Sequence, residues 1–174
     1  MSKIIAIVNQ KGGVGKTTTA VNLSAAIADM GYKTLLIDID PQANTCLGIG
    51  ISRWDMDKGI YDLLIGDANV NEVIMKTYKD NLYIIPSDSD LVGAQIELVS
   101  EIGREFKLKK AIESIKNDYE YILIDCPPTL GILTLNALTA ADSVLIPIQC
   151  EFYALDGVAE LNNTISRVKE NLNP

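Results

Sequence analysis

Five short apolar runs recur along the chain and are separated by more polar segments. The runs are Ile4–Val8, Thr34–Asp38, Leu82–Pro86, Tyr121–Asp125 and Ser143–Ile148. Their apolar residues are consecutive instead of alternating with polar ones, which is the pattern of strands that are covered on both faces. The sequence therefore predicts a buried, parallel β-sheet.

Three of the intervening segments carry apolar residues at helical spacing. They contain Ala20, Leu23, Ile27 and Met30; Leu108, Ala111, Ile112 and Ile115; and Val158, Leu161, Ile165, Val168 and Leu172. Gly31 stands where the first of these helices is expected to end. The alternation of strand and helix predicts an α/β fold, a doubly wound, mostly parallel sheet with helices on both faces. In such folds ligands bind at the carboxyl ends of the strands.

The domain organisation follows from length and from the absence of internal boundaries. The chain has 174 residues, which suits one domain with a sizeable core, and it shows no repeat, low-complexity tract or linker. Its last residues, "NLNP", resemble a turn before another strand. We expect residues 1–174 to form a single domain that lacks its C-terminal part.

Composition excludes several classes of function. The chain has no histidine, so a mechanism that needs a histidine base or ligand is excluded. Its net charge of −8 argues against a nucleic-acid platform over the whole segment. No apolar run approaches the roughly 20 residues of a membrane span, and no secretory signal is recognisable. Three scattered cysteines suit reduced thiols in the cytoplasm, which is the expected location.

The strongest chemical signal is "KGGVGKTT" at residues 11–18, between the first predicted strand and the first predicted helix. Glycines there let the backbone fold around phosphate oxygens at a helix N-terminus, whose dipole favours anions. Lys16 is placed to reach the β- and γ-phosphates, and the Thr17 hydroxyl to ligate Mg²⁺. A dinucleotide fingerprint is excluded, because Thr18 occupies the place of its last glycine.

Carboxylates close two of the predicted strands. Asp38 and Asp40 end the second run, where Pro41 prevents the strand from continuing, and alternation puts both side chains on the same side of the chain. Asp125 ends the fourth run in the manner of a Walker B aspartate. A triphosphate site needs such carboxylates for its metal ion and for the attacking water.

These motifs together resemble one family. A lysine ahead of the glycines, Lys11, is the mark of the deviant Walker A motif in the ParA/MinD superfamily of ATPases. The segments "LLIDIDPQANTCLGIG", "YILIDCPPTLGILTLNALTAADSVLIPI" and "QCEFYALDGVAEL" resemble the ParA/Soj branch, in order and over essentially the whole chain.

The resemblance implies a role for each site residue. Lys11 reaches across a dimer interface to the nucleotide of the other subunit, and Asp40 positions the attacking water. Asp38 belongs to the Mg²⁺ environment, and Asp125 holds the metal through water. Lys11, Lys16 and Asp40 are then the catalytic residues, and Thr17, Asp38 and Asp125 form the metal site. The nucleotide contacts are Lys11, Gly12, Gly13, Val14, Gly15, Lys16, Thr17 and Thr18.

The same resemblance implies a function and partners. We expect slow, Mg²⁺-dependent hydrolysis of ATP that drives a dimerisation switch in chromosome or plasmid partitioning. The ATP state would be a homodimer stimulated by a ParB-type protein, and the full-length protein would bind DNA nonspecifically on the nucleoid. No membrane partner is expected. Residues after Asp40 would form switch I, and residues after Asp125, "CPPTLG", switch II.

Three alternatives stay open at this stage. A MinD-like membrane-associated regulator would need a C-terminal amphipathic helix, which the sequence does not contain. A relative of the nitrogenase iron protein would need cysteines that bridge a dimer, and only Cys126 lies beside a switch segment. A targeting GTPase shares "GKTTT", but no N-K-x-D or T-K-x-D guanine motif occurs. The aromatic residues near the site, Trp54, Phe152 and Tyr153, are interpreted as packing residues.

Overall fold

A single β-sheet forms the centre of the molecule. The computed structural model describes residues 2–52, 55–150 and 154–174. Its strands are β1 (Lys3–Ile7), β2 (Thr34–Asp38), β3 (Met75–Lys76), β4 (Leu82–Ile85), β5 (Tyr121–Asp125) and β6 (Ser143–Leu145). They are ordered β3-β4-β2-β5-β1-β6, and every neighbouring pair is parallel except β3 and β4. The predicted doubly wound, mostly parallel sheet is confirmed.

Helices cover both faces of the sheet. They are α1 (Lys16–Asp29), α2 (Asn44–Gly48), α3 (Ile60–Ile65), α4 (Val70–Val73), α5 (Leu91–Glu97), α6 (Lys107–Ile112), α7 (Ile132–Ala140) and α8 (Ala154–Asn171). Residues of α1 and α2 pack in one hydrophobic cluster, and residues of α3 to α8 pack in a second, larger one. Among the described residues, no helix is both long and apolar enough to cross a membrane.

Burial on two sides explains the continuous apolar runs. All five residues of β2 are buried. Leu35 and Ile37 belong to the larger cluster, whereas Leu36 between them belongs to the cluster under α1. Because successive side chains of a strand point to opposite faces, both faces need apolar residues when both are covered.

The structure corrects three details of the predicted elements. β3 was not predicted, since two residues carry no readable periodicity. The last predicted strand, residues 143–148, ends at Leu145. Met30 is 73% exposed, because α1 ends at Asp29 and its fully buried face consists of Lys16 and three small residues, Ala20, Ser24 and Ala28. Trp54, Phe152 and Tyr153 lie outside the described residues.

The other two predicted helical faces are confirmed. Leu108 and Ile112 of α6 are buried, and Leu161 and Val168 of α8 are buried on the same helix face. Ile165 packs partly buried between them. The amphipathic pattern therefore predicted correctly which side of each helix faces the sheet.

A buried amide joins α7 to the start of α6. Asn136 is fully buried; its Oδ1 accepts a hydrogen bond from Leu108 N (3.0 Å), and its Nδ2 donates to the carbonyls of Arg104 (2.8 Å) and Ile132 (2.9 Å). The side chain thus satisfies backbone groups that secondary structure leaves unpaired at the beginning of α6.

Replacing Asn136 by alanine is expected to destabilise the fold by roughly 2–4 kcal/mol, because a buried amide N–H and a carbonyl lose their partner. The measurement is the free energy of unfolding from urea titration, compared with Asn162→Ala on the exposed side of α8. If Asn136→Ala lowers the free energy of unfolding no more than Asn162→Ala does, water replaces the hydrogen bonds of the Asn136 side chain.

Candidate active site

The glycine-rich loop joins β1 to α1 at the carboxyl edge of the sheet. Gly13 (φ +74°) and Gly15 (φ +91°) have left-handed backbone conformations, which residues with a Cβ rarely adopt. Gly15 caps α1, and in the described structure no side chain hydrogen-bonds to the first amides of that helix. A Cβ built on Gly12, Gly13 or Gly15 would meet no atom within 4 Å, so the space beside the loop is open. An open space at a helix N-terminus suits an anion, because the first N–H groups of a helix have no partner within it.

Side chains from distant segments hold this loop in place. Asn9 is buried; its Oδ1 accepts a hydrogen bond from Lys11 N (3.0 Å), and its Nδ2 donates to Pro147 O (2.7 Å). On the other side of the loop, Gln149 Nε2 donates to Gly13 O (3.0 Å). The loop is therefore tied to the segment after β6 before any ligand binds. Sequence reasoning missed both Asn9 and Gln149.

The two lysines of the loop have different surroundings. Lys16 is only 7% exposed, and its Nζ donates to Lys11 O across the loop (3.2 Å). Lys11 is exposed at the edge of the loop. The ammonium group of Lys16 thus lies inside the cradle, whereas the side chain of Lys11 belongs to the molecular surface.

Three carboxylates lie beside the loop, at or just after the ends of two adjacent strands. Asp38 and Asp125 are paired in register at the ends of β2 and β5. Asp38 Oδ1 accepts a hydrogen bond from Asp40 N (3.0 Å), and Asp38 Oδ2 accepts one from Thr45 N (3.2 Å). Asp40 Oδ1 accepts from Gln42 N (2.9 Å), which turns the chain away from the strand.

Thr45 connects the second strand to the Walker B aspartate. Its hydroxyl donates to Asp125 Oδ2 (2.9 Å) while its backbone N–H holds Asp38, and the residue is fully buried. Thr45 lies in the predicted switch I region, which follows Asp40. The short helix α2 in this region begins after Ala43, a residue with φ +53°. Sequence reasoning missed Thr45, because it lies 80 residues from its partner.

Burial raises the pKa values of two of these acids. Burial and the negative charge of Asp125 raise the pKa of Asp38 to about 8, against opposing hydrogen bonds from Asp40 and Thr45. Burial also raises the pKa of Asp125, where the hydroxyls of Thr17 and Thr45 oppose the increase. Without a bound cation, the site therefore disfavours the ionised form of both carboxyl groups.

The residues fit a magnesium ion. Asp125 Oδ1 is buried and has no hydrogen-bond partner among the described residues, although the hydroxyl of Thr17 lowers the pKa of the same carboxyl group. A buried acceptor without a donor is costly, and a cation beside Thr17 would satisfy it. The described ranges contain no group of three or more His, Cys, Asp or Glu side chains that could hold a metal ion. Mg²⁺ needs none, because it takes most of its ligands from phosphates and water.

The nucleotide-free protein is expected to lose stability as the pH rises from about 4 to 8. The raised pKa of Asp38 means that the folded state binds this proton more tightly than the unfolded chain does. Its contribution is therefore complete below the ordinary pKa of 3.8 and is lost towards pH 8. The expected loss is roughly 2–4 kcal/mol, measured by urea unfolding at each pH. Asp38→Asn should flatten the profile, whereas Asp118→Asn, an exposed control, should not; a steep profile in Asp38→Asn would exclude Asp38 as its source.

The structure brings most of the predicted site residues to one edge of the sheet. Lys16 and Thr17 in α1, and the three aspartates, surround the same space beside the glycine loop. Val14 is buried, whereas Thr18 is exposed. The switch II segment, residues 126–131, leads into α7. Cys126 in that segment is fully buried.

This fold and site define a class of protein. A parallel sheet with a glycine loop between β1 and α1, a buried lysine in that loop and an aspartate at the end of β5 are the features of P-loop nucleoside triphosphatases. Residues 2–174 match the family model described as "AAA domain". The chain belongs to the ParA/Soj family of partitioning ATPases.

The relatives support that placement. The chain is 56% identical to the sporulation initiation inhibitor protein Soj of Bacillus subtilis over 99% of its own length and 68% of that protein. It is 51% identical to the chromosome partitioning protein ParA of Myxococcus xanthus, over 100% of its own length and 62% of that protein. The chain thus spans about two thirds of these relatives.

A solved structure of a protein that is not named Soj or ParA shares the fold. The cobyrinic acid a,c-diamide synthase of Mycobacterium smegmatis, crystallised with bound ADP and magnesium, superposes with a TM-score of 0.96 at 39% identity. The match covers 100% of this chain and 71% of that one.

Proposed function

We propose that this chain is the nucleotide-binding part of an ATPase that acts as a dimerisation switch in chromosome or plasmid partitioning. The observation that carries the proposal is the different placement of the two loop lysines, one buried in the cradle and one exposed at its edge. A single lysine suffices to bind a triphosphate within one subunit. The second, exposed lysine would act on a nucleotide in another subunit.

The loop would bind the phosphates of ATP. The N–H groups of Gly12 to Thr18 and of the first turn of α1 would donate to phosphate oxygens in the open space beside the loop. Lys16, already held inside the loop by its hydrogen bond to Lys11 O, would neutralise the β- and γ-phosphates. ATP and Mg²⁺ are the proposed ligands, in keeping with the ADP and magnesium of the mycobacterial synthase structure.

Thr17, Asp125 and Asp38 would hold the magnesium ion. The Thr17 hydroxyl is the direct ligand, and Asp125 Oδ1, which lacks a hydrogen bond in the described structure, would accept one from a metal-bound water. Asp38 accepts the backbone N–H of Thr45, and a cation beside it would favour its ionised form. The ion would stabilise the negative charge on the phosphate oxygens as the γ-phosphoryl group is transferred.

Asp40 would orient the water that attacks the γ-phosphate. It follows the end of β2 and is nearly buried, and its Oδ1 is already engaged by Gln42 N. Without histidine in the chain, hydrolysis would depend on positioning and on electrostatic stabilisation. We expect slow turnover that a ParB-type partner stimulates.

Lys11 would complete the site of the partner subunit. A lysine acts on phosphate oxygens as a point charge. When two ATP-loaded subunits face each other, the Lys11 side chain of each subunit would contact the phosphates of the ATP bound to the other. ATP binding and dimerisation then strengthen each other by the same factor, since linked equilibria are reciprocal. The switch segments after Asp40 and Asp125 would change conformation when the γ-phosphate is lost, and this change would weaken the dimer interface.

The wider function of the whole protein follows from its relatives. Soj and ParA are the more similar proteins, and ParA is named for chromosome partitioning. We therefore favour partitioning over the amide synthesis that the name of the mycobacterial enzyme indicates. The proposed partners are a second copy of the chain, a ParB-type protein and nonspecific DNA, with action in the cytoplasm and on the nucleoid in the ATP state.

Nucleotide selectivity and metal dependence test the proposal directly. Phosphate release should occur with ATP and Mg²⁺, stop with EDTA, and fall by less than about twofold when a tenfold excess of GTP is added. Release that GTP supports equally well would favour the targeting GTPase instead. No hydrolysis of ATP at any Mg²⁺ concentration, with ATP nevertheless bound, would reject the enzymatic part of the proposal.

A further inference from the structure

Thr45 connects three segments of the site. Its hydroxyl donates to Asp125 Oδ2 (2.9 Å) at the end of β5, and its backbone N–H donates to Asp38 Oδ2 (3.2 Å) at the end of β2. Thr45 itself lies in α2, the short helix of the predicted switch I region. The hydroxyl of Thr45 has no role in the hydrolysis proposed above, although it contacts one of the two buried aspartates directly.

Burial strengthens the contact between Thr45 and Asp125. Thr45 is fully buried and Asp125 is 1% exposed, so water does not compete for either group. A hydrogen bond to a carboxylate is stronger away from water than at the surface. A threonine hydroxyl has one proton to donate, and Thr45 donates it to the aspartate and not to a carbonyl of its own helix.

The two carboxyl oxygens of Asp125 have different surroundings. Oδ2 is held by Thr45, whereas the buried Oδ1 has no hydrogen-bond partner among the described residues. The last torsion of an aspartate side chain has no narrow preferred value, so the carboxyl group turns unless a contact holds it. Because the group is planar, the bond that fixes Oδ2 also fixes the direction of Oδ1.

We infer that Thr45 is a positioning residue for the metal site, and that its hydroxyl orients Asp125 so that Oδ1 faces a divalent cation beside Thr17. Thr45 acts through the aspartate and is not itself a ligand of the ion. Removing a group that orients the surroundings of a metal in this way typically lowers metal affinity by roughly 10- to 100-fold. The inference rests on the proposed function, because it assigns nucleotide and Mg²⁺ to this site.

The same contact links the cation to switch I. α2 has five residues and follows Ala43 in a left-handed conformation, so its own hydrogen bonds contribute little to its stability and its contacts with the two aspartates contribute more. A cation that fixes Asp125 would therefore also order α2. Since linked equilibria are reciprocal, ordering of α2 would strengthen metal binding by the same factor.

Thr45→Val tests the role of the hydroxyl, because valine keeps the branched Cβ, a similar volume and the backbone N–H. Binding of Mn²⁺ in the presence of ADP is measured by electron paramagnetic resonance, with Mg²⁺ as competitor. Thr45→Val is expected to bind the metal about tenfold or more weakly, whereas Thr45→Ser, which keeps the hydroxyl, should stay within about threefold of the wild type. The affinity for ADP without metal should not change, because the hydroxyl bonds to Asp125 and not to the glycine loop.

Thr34→Val is the matched control. Thr34 is also a fully buried threonine, and its hydroxyl donates to Tyr32 O (3.0 Å). It begins β2, whereas Asp38 ends that strand at the carboxyl edge of the sheet. Thr34→Val removes a comparable hydrogen bond far from the metal site, so it should bind Mn²⁺ like the wild type.

Cys46 provides a second measurement that does not depend on hydrolysis. It follows Thr45 in α2 and is 4% exposed, so a reagent reaches its thiol only when α2 opens. Cys150→Ser first removes the exposed thiol, and modification of Cys46 by N-ethylmaleimide is then followed by mass spectrometry with ADP. Mg²⁺ should slow the modification by about fivefold or more when Thr45 is present, and by less than about twofold in Thr45→Val.

The possible outcomes separate this inference from the proposed function. Equal Mn²⁺ affinity in the wild type and Thr45→Val would overturn the inference, and so would an equal loss of affinity in Thr34→Val. A loss in Thr45→Ser as large as that in Thr45→Val would assign the effect to the methyl group and reject the role of the hydroxyl. A wild-type protein that binds neither ADP nor Mn²⁺ would instead reject the proposed function, and this inference with it.

Discussion

Replacing Lys16 by alanine is expected to weaken ATP binding by about 100-fold or more and to abolish hydrolysis. Lys16 is the cation inside the loop, 7% exposed and fixed by its hydrogen bond to Lys11 O. A charge held in a buried position acts on phosphate more strongly than one in water, so its loss is not compensated by solvent. Calorimetric titration with ATP and Mg²⁺ measures the effect.

Lys3→Ala is the matched control for that experiment. Lys3 is an exposed lysine at the start of β1, at the other end of the same strand. It changes the net charge equally but lies far from the loop, so its affinity for ATP should match the wild type. If Lys16→Ala bound ATP as tightly as Lys3→Ala does, the phosphates would not occupy this loop.

Replacing Asp40 by alanine is expected to lower hydrolysis by about 100-fold or more while ATP stays bound. Asp40 would orient the attacking water but would not hold the phosphates. Among the described residues its carboxylate accepts a hydrogen bond only from Gln42 N, so the fold should tolerate the change. Single-turnover hydrolysis and nucleotide occupancy, measured on the same sample, separate the two effects.

Asp118→Ala provides the comparison, since Asp118 is exposed near the opposite end of β5. It should hydrolyse ATP at the wild-type rate. If Asp40→Ala lost ATP together with activity, the carboxylate would serve binding. If Asp40→Ala kept the wild-type rate, another group would have to position the water.

The elements that the sequence predicts best are those whose signal is local. β2 and β5 have the predicted limits, because each is a continuous apolar run closed by an aspartate. The glycine loop could likewise be predicted, since its glycines, lysine and threonine are consecutive. By contrast, β3 has two residues and is held only by its pairing with β4, which no local pattern reveals.

The parts of the site that were missed depend on long-range contacts. Hydrogen bonds join Asn9 to Pro147, Thr45 to Asp125, and Gln149 to Gly13. The two residues of each pair are separated by 80 positions or more along the chain. A polar residue gives no sign in the sequence of which distant group it will bind. Similarly, neighbouring apolar residues of α5 look alike in the sequence, and only packing shows that Leu91 is buried and Ile96 exposed.

The central claim is that Lys11 makes dimerisation depend on ATP. The most direct test is the light-scattering mass of Asp40→Ala with Mg²⁺ and either ATP or ADP, repeated with Lys11→Ala added, while nucleotide occupancy is read in parallel. We predict a mass of about twice 18.9 kDa with ATP only, and a monomer that still holds ATP once Lys11 is removed. A dimer that persists without Lys11, or one that forms equally with ADP, would contradict the account.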